Sequence, residues 1–125
     1  MSDEPNEAGR PKGLPSFVET AAFTAQWARL GLADRDLRAL QVALLANTTI
    51  GAVVAGTNGV RKMRFAAPGS ARGKSGAYRV FYLNVPEHGH IALWGVIDKS
   101  VDENLTPADR KLLASRVVAY KARLK

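Results

Sequence analysis

The chain of 125 residues contains no cysteine, which excludes a disulfide scaffold, a thiol nucleophile and a thiolate metal site together. Histidine is scarce too: there are two, both in Pro86-Glu87-His88-Gly89-His90. Alternation on a strand could bring both imidazoles to one metal. With Glu87 the one carboxylate nearby, however, the set falls short of the three or four ligands such a site needs. A polar hairpin tip is expected there, with no metal and no cofactor. No stretch approaches the roughly 18 consecutive apolar residues of a spanning helix, so we expect a cytoplasmic protein with no membrane contact. A HExxH helix and a paired-glutamate motif are missing, and no Ser-His-Asp arrangement can be argued from spacing.

A further absence is local. Between Arg61 and Arg79 the sequence has no carboxylate, yet it carries Arg61, Lys62, Arg64, Arg72, Lys74 and Arg79. Residues 1–60 hold five Lys and Arg against six Asp and Glu, and residues 80–125 hold seven against five. The net charge of +7 is therefore concentrated in one segment. A field of that kind calls for a polyanion, of which nucleic acid is the commonest.

Length and an apolar content of 46% suit one domain that buries about 65–70% of its unfolded surface. Residues 1–15 are polar and rich in Pro and Gly, and are expected to form a mobile leader to a domain spanning 16–125. A short strand at Phe17 to Thr20 leads into a helix from Ala21 to Leu30, with Phe23, Trp27 and Leu30 as its apolar stripe. Gly31 ends it. Asp34 is expected to cap a second helix whose Leu37, Leu40, Leu44 and Leu45 share a face.

From Val60 the period becomes two. Alternation puts Lys62 and Arg64 on one face of a strand, and Arg61, Met63 and Phe65 on the other. A Gly-rich loop from Ala67 to Gly76 follows, then strands at Tyr78–Val85 and Ile91–Ile97 joined as a hairpin. A last helix starts with Thr106 as cap, Pro107 in its first position and Asp109 in its first turn. Leu113, Val117, Tyr120 and Leu124 give that helix an apolar side. Its cations Arg110, Lys111, Arg116, Lys121, Arg123 and Lys125 could grip nucleic acid, but the apolar side favours packing on the sheet. The expected class is α+β, with a largely antiparallel sheet of about four strands and helices packed on one side of it.

Pro68-Gly69-Ser70-Ala71-Arg72-Gly73-Lys74-Ser75 is one residue short of a Walker A phosphate loop, with Pro68 where glycine is needed. The loop also leads into a strand, whereas phosphates in such loops meet a helix N-terminus. A nucleotide triphosphatase is thus disfavoured, although the loop could still wrap a phosphodiester. For Lys62 and Arg64 the plain alternative is a solvated edge strand protected from aggregation. Against it stand the continuation of the cations to Arg79 and the missing carboxylates.

Several segments, taken in order, resemble a known family. They are Phe17-Val18-Glu19-Thr20 with Phe23 and Trp27, Leu40-Gln41, Gly56-Thr57-Asn58-Gly59-Val60-Arg61-Lys62-Met63-Arg64, Gly73-Lys74-Ser75-Gly76, Arg79-Val80-Phe81-Tyr82, and Asp102-Glu103-Asn104-Leu105-Thr106. Together they resemble RelE-family toxins of bacterial toxin-antitoxin systems, in the HigB-like branch, over about residues 16–120. The resemblance implies a RelE/ParE-like microbial RNase fold and a ribosome-dependent mRNA endoribonuclease. Partners would be the ribosome, mRNA and a cognate antitoxin of helix-turn-helix type.

By the same resemblance Lys62, Arg64, Lys74 and Arg79 would surround the scissile phosphate. Lys62 would act as general base, Arg64 and Arg79 would stabilise charge, and Lys74 would position phosphate; Arg61, Arg72 and Lys99 would contact RNA. Preorganised cations suit metal-free attack by a 2′-hydroxyl on its own phosphodiester. The sequence departs from the family at Ile97, where a tyrosine is common, and at Gly76-Ala77, where Gly-Gly is usual. Two alternatives use the same fold: a ParE-like protein that poisons gyrase, and a basic domain that binds RNA or antitoxin without cleaving.

Overall fold

A computed structural model describes residues 13–68, 77–98 and 105–124. Most of the expected leader, the Gly-rich loop with Arg72 and Lys74, and Lys99 lie outside the described residues. The element order is β1 (Ser16–Glu19), α1 (Ala21–Arg29), α2 (Asp34–Ala46), β2 (Ala52–Val53), β3 (Arg61–Phe65), β4 (Tyr78–Val85), β5 (His90–Asp98) and α3 (Pro107–Arg123). A 3₁₀ turn at Pro86–His88 joins β4 to β5, and Gly89 closes it at a φ of 70°.

The class is α+β, with a sheet in the order β1-β5-β4-β3-β2. That is five strands rather than about four, and the sheet is mixed. β1 runs parallel to β5, while the other pairings are antiparallel. β2 escaped the sequence reading because its two residues are too few to show alternation.

The helices occupy both faces of the sheet, which corrects the expectation that they pack on one. Phe23, Trp27, Leu40 and Leu44 from α1 and α2 meet Met63, Phe65, Tyr78, Val80, Tyr82, Ile91, Leu93 and Val96. On the other face Val117 of α3, with Tyr120 and Leu124 beside it, meets Val60, Phe81, Leu83, Val85 and Ala92. The cause is legible in β4: Val80, Phe81, Tyr82 and Leu83 are consecutive and all buried. A strand covered on both sides needs apolar residues at both parities.

Helix ends follow capping chemistry. Thr20 Oγ1 accepts from Phe23 N–H at 3.0 Å to start α1, and Gly31, at a φ of 74°, follows its end. Thr106 and Asp109 cap α3 reciprocally, each side chain accepting from the other's backbone N–H at 3.0 Å. The start of α2 differs by one residue from expectation. Ala33 is its N-cap residue, and the Asp36 carboxylate reaches back to accept from Ala33 N–H at 2.8 Å. Asp34 therefore begins the helix rather than capping it. Among the described residues, no helix is long and apolar enough to cross a membrane.

Candidate nucleic-acid interface

The start of β3 is fixed by the turn before it. Val54 N–H donates to Val60 C=O at 2.8 Å, closing a loop in which Gly56, Asn58 and Gly59 have positive φ. The fully buried Thr57 holds that loop from inside, donating to Val54 C=O at 2.7 Å and accepting from Val60 N–H at 3.2 Å. Asn58 Nδ2 donates to Ala114 C=O at 3.1 Å, tying the turn to α3. The strand leaves this turn with Met63 and Phe65 anchored in the α1/α2 core. Alternation then directs Lys62 and Arg64 to the α3 face.

Register completes the cluster. Arg64 lies directly opposite Arg79, Lys62 opposite Phe81, and Arg79 opposite Ile97 on β5. Lys62, Arg64 and Arg79 are thus brought together on one face of adjacent strands. Arg64 is exposed, while Lys62 and Arg79 are half-buried. Side chains directly opposite in an antiparallel pair have Cβ atoms about 4.5–5.5 Å apart, and like charges so placed destabilise the pair.

Arg61 sits apart from the cluster. Its Nη1 donates to Gly51 C=O at 2.6 Å on the α1/α2 face. Gly51 must be small, since a Cβ there would lie 2.7 Å from Lys62 O. The same turn is held by Tyr82 Oη, which donates to Thr48 C=O at 3.0 Å and accepts from Gly51 N–H at 2.9 Å. Asn84 Nδ2 also donates to Thr48 C=O, at 2.8 Å. Burial pushes the Tyr82 phenol above its ordinary pKa, against the opposing pull of the Gly51 hydrogen bond and the Arg61 charge. Tyr78 and Tyr82 are both buried among the α1/α2 core residues, on the face opposite Arg79.

The histidine pair separates. His88 is exposed in the 3₁₀ turn, whereas His90 is buried, with Nε2 2.6 Å from Tyr120 Oη. The hairpin tip is polar only as far as Gly89, because His90 has joined the packing against α3. Among the described residues, no group of three or more His, Cys, Asp or Glu side chains could hold a metal ion.

A feature missed by sequence reasoning lies next to the cations. The pairing of β4 with β5 shifts register, Phe81 facing Gly95 and Tyr82 facing Leu93, so Trp94 is an extra residue. Such a bulge turns two successive residues toward one face. Beyond Leu93, β1 no longer covers β5, and α1 closes the open edge: Thr20 Oγ1 donates to Trp94 C=O at 2.9 Å, and Gln26 Oε1 accepts from Val96 N–H at 2.9 Å. Between this edge and α3 lies a cleft of about 640 Å³ lined by Phe81, Trp94, Ile97, Leu113, Tyr120 and Arg123, among others. Gly95 inside an apolar run was the one sequence signal of the bulge. No family model matches the chain.

Proposed function

We propose that the chain is a ribosome-dependent mRNA endoribonuclease, the toxin of a toxin-antitoxin pair with a RelE-like fold, held inactive by a helix-turn-helix antitoxin. The observation that carries this reading is the in-register pair Arg64 and Arg79 with Lys62 beside it on one face. The α+β architecture and the order of the family-like segments support it. In this mechanism the substrate 2′-oxygen attacks the adjacent phosphorus while the Lys62 amine takes its proton. The bond from phosphorus to the 5′-oxygen breaks, leaving a 2′,3′-cyclic phosphate and, once the leaving oxygen takes a proton from solvent water, a 5′-hydroxyl. Arg64 and Arg79 neutralise the charge that builds on the phosphoryl oxygens, in geometry set before the reaction begins. Lys74 and Arg72 in the adjoining loop, with Lys99, would hold flanking phosphates.

A second reading keeps the fold without the chemistry. Ile97 lies opposite Arg79 and offers no proton-transferring group, which favours a domain that binds RNA without cutting it. Primer extension on mRNA in a translating extract separates the two. The wild type should give cuts that need the ribosome, and a Lys62→Ala, Arg79→Ala double variant with an unchanged circular dichroism spectrum should lose roughly 10²-fold or more of that activity. Retained cleavage by the double variant would refute the assigned site. Topoisomerase-trapped DNA breaks in place of RNA cuts would move the reading to gyrase.

A further inference from the structure

The cleft beside α3 and the cation cluster are neighbours in the sheet. Phe81 and Ile97, which line the cleft, are the register partners of Lys62 and Arg79. Adjacent strands lie only about 4.8 Å apart, less than the span from a nucleotide's phosphate to the far edge of its base. Flat apolar surface is available there: Trp94 and Tyr120 meet edge to face, centroids 5.4 Å apart at 87°. Cations border it on the helix side as well. The Arg123 guanidinium lies 5.7 Å from the centre of the Tyr120 ring, and Arg116 also lines the cleft. Among the described residues, the one lining carboxylate is Asp109, which is committed to the cap of α3.

We propose that this cleft receives a nucleobase of the RNA strand whose phosphate rests on Lys62, Arg64 and Arg79; the inference rests on the RNA reading above. Stacking on aromatic side chains beside backbone-tracking cations is how single-stranded nucleic acid is held. The volume lies within the usual range of ligand pockets and leaves room for a base together with its sugar. An apolar peptide would need the aromatic surface but not the cations on two sides, and a free anion would need only the cations. Gln26 also lines the cleft; its Oε1 is held by Val96 N–H, and its NH₂ group is the donor we assign to a base edge. The cleft is thus a specificity pocket for one nucleotide beside the cleaved bond.

The full chain carrying Trp27→Phe keeps Trp94 as its single tryptophan and reports on the cleft directly. It is titrated at low salt with a dye-labelled single-stranded oligoribonucleotide, and with an abasic ribose-phosphate oligomer of the same length. Binding is read by dye anisotropy and the cleft by Trp94 fluorescence. We expect both oligomers to bind and only the base-bearing one to quench Trp94. Ala119→Leu, at an exposed position lining the cleft, should weaken the base-bearing oligomer by roughly tenfold, within the range of one stacked base, and leave the abasic one unchanged. Binding of both oligomers without base-dependent quenching, or an Ala119→Leu variant that treats them alike, overturns the base pocket while the cation site stands. Failure of both oligomers to bind the folded protein overturns the RNA reading and the pocket with it.

Discussion

The two faces of the sheet are built from the same strands and differ in how their polar groups are used. On the α1/α2 face every polar side chain discussed above serves the fold: Tyr82, Asn84 and Arg61 all fasten the turn from Thr48 to Gly51. On the α3 face the helix covers only part of the sheet, and Lys62, Arg64 and Arg79 occupy the part beside it. A side chain bound to backbone carbonyls is committed before any ligand arrives. The three cations are instead gathered on one face by strand register. Side chains that fasten the fold thus lie on one face, and the cations proposed to meet phosphate lie on the other.

The largest effect should come from the first face. Phe23 is fully buried and stacks on Trp27, with centroids 5.4 Å apart; Trp27 in turn stacks on Phe65 at 6.1 Å. Phe23→Ala removes the first member of that stack. It should cost about 3–5 kcal/mol, read from the midpoint of urea unfolding. A cost below about 1 kcal/mol would mean that this face is not the main core.

A smaller effect carries a pH signature. Tyr82→Phe leaves Gly51 N–H without its acceptor, whereas Thr48 C=O keeps the Asn84 bond. The loss should be about 1–3 kcal/mol at neutral pH. Burial raises the Tyr82 pKa above its ordinary 10.0, so the unfolded chain releases that proton first as pH rises. Stability from this phenol is therefore complete below pH 10 and falls as pH climbs toward and through the folded value. The stability gap between wild type and Tyr82→Phe should narrow above pH 10, other tyrosines and lysines being common to both. A constant gap from pH 8 to 11 would contradict the burial argument.

How much of this was legible in the sequence depends on the range of the interaction. Most local signals were sound: Thr106, Pro107 and Asp109 start α3, Gly31 follows α1, and the β4–β5 hairpin turns where Pro86 and Gly89 stand, whereas Asp34 begins α2 instead of capping it. The parity of β3 also separated Lys62 and Arg64 from Arg61. What failed was long-range. The parallel pairing of β1 with β5 joins residues 74 positions apart, such as Ser16 and His90, and leaves no local periodicity to read. The apolar run in β4 did signal cover on both faces. The expectation of helices on one side did not use it, and the apolar side of α3 does not say which face of the sheet it meets. The direct opposition of Arg64 and Arg79 depends on the register across the intervening loop, and the cleft depends on a bulge whose one trace in the sequence is Gly95. Charge pointed to a class of ligand, and pairing brought Lys62, Arg64 and Arg79 to one face.

The sharpest comparison uses two neighbours in one strand. Arg61 and Lys62 are equivalent by composition, yet Arg61 donates to Gly51 C=O while Lys62 belongs to the cation cluster. Arg61→Ala removes a charged donor from a half-buried carbonyl and should cost about 1–2 kcal/mol. Lys62→Ala, with no hydrogen bond to backbone at stake among the described contacts, should change stability by less than about 0.5 kcal/mol. Function should show the reverse order, with cleavage in the translating extract lost in Lys62→Ala and kept within a few-fold in Arg61→Ala. Added salt should weaken RNA binding by the wild type with a slope that Lys62→Ala lowers by about one and Arg61→Ala leaves alone. Equal effects of the two substitutions on both stability and RNA binding would mean that the division of labour between the faces does not hold.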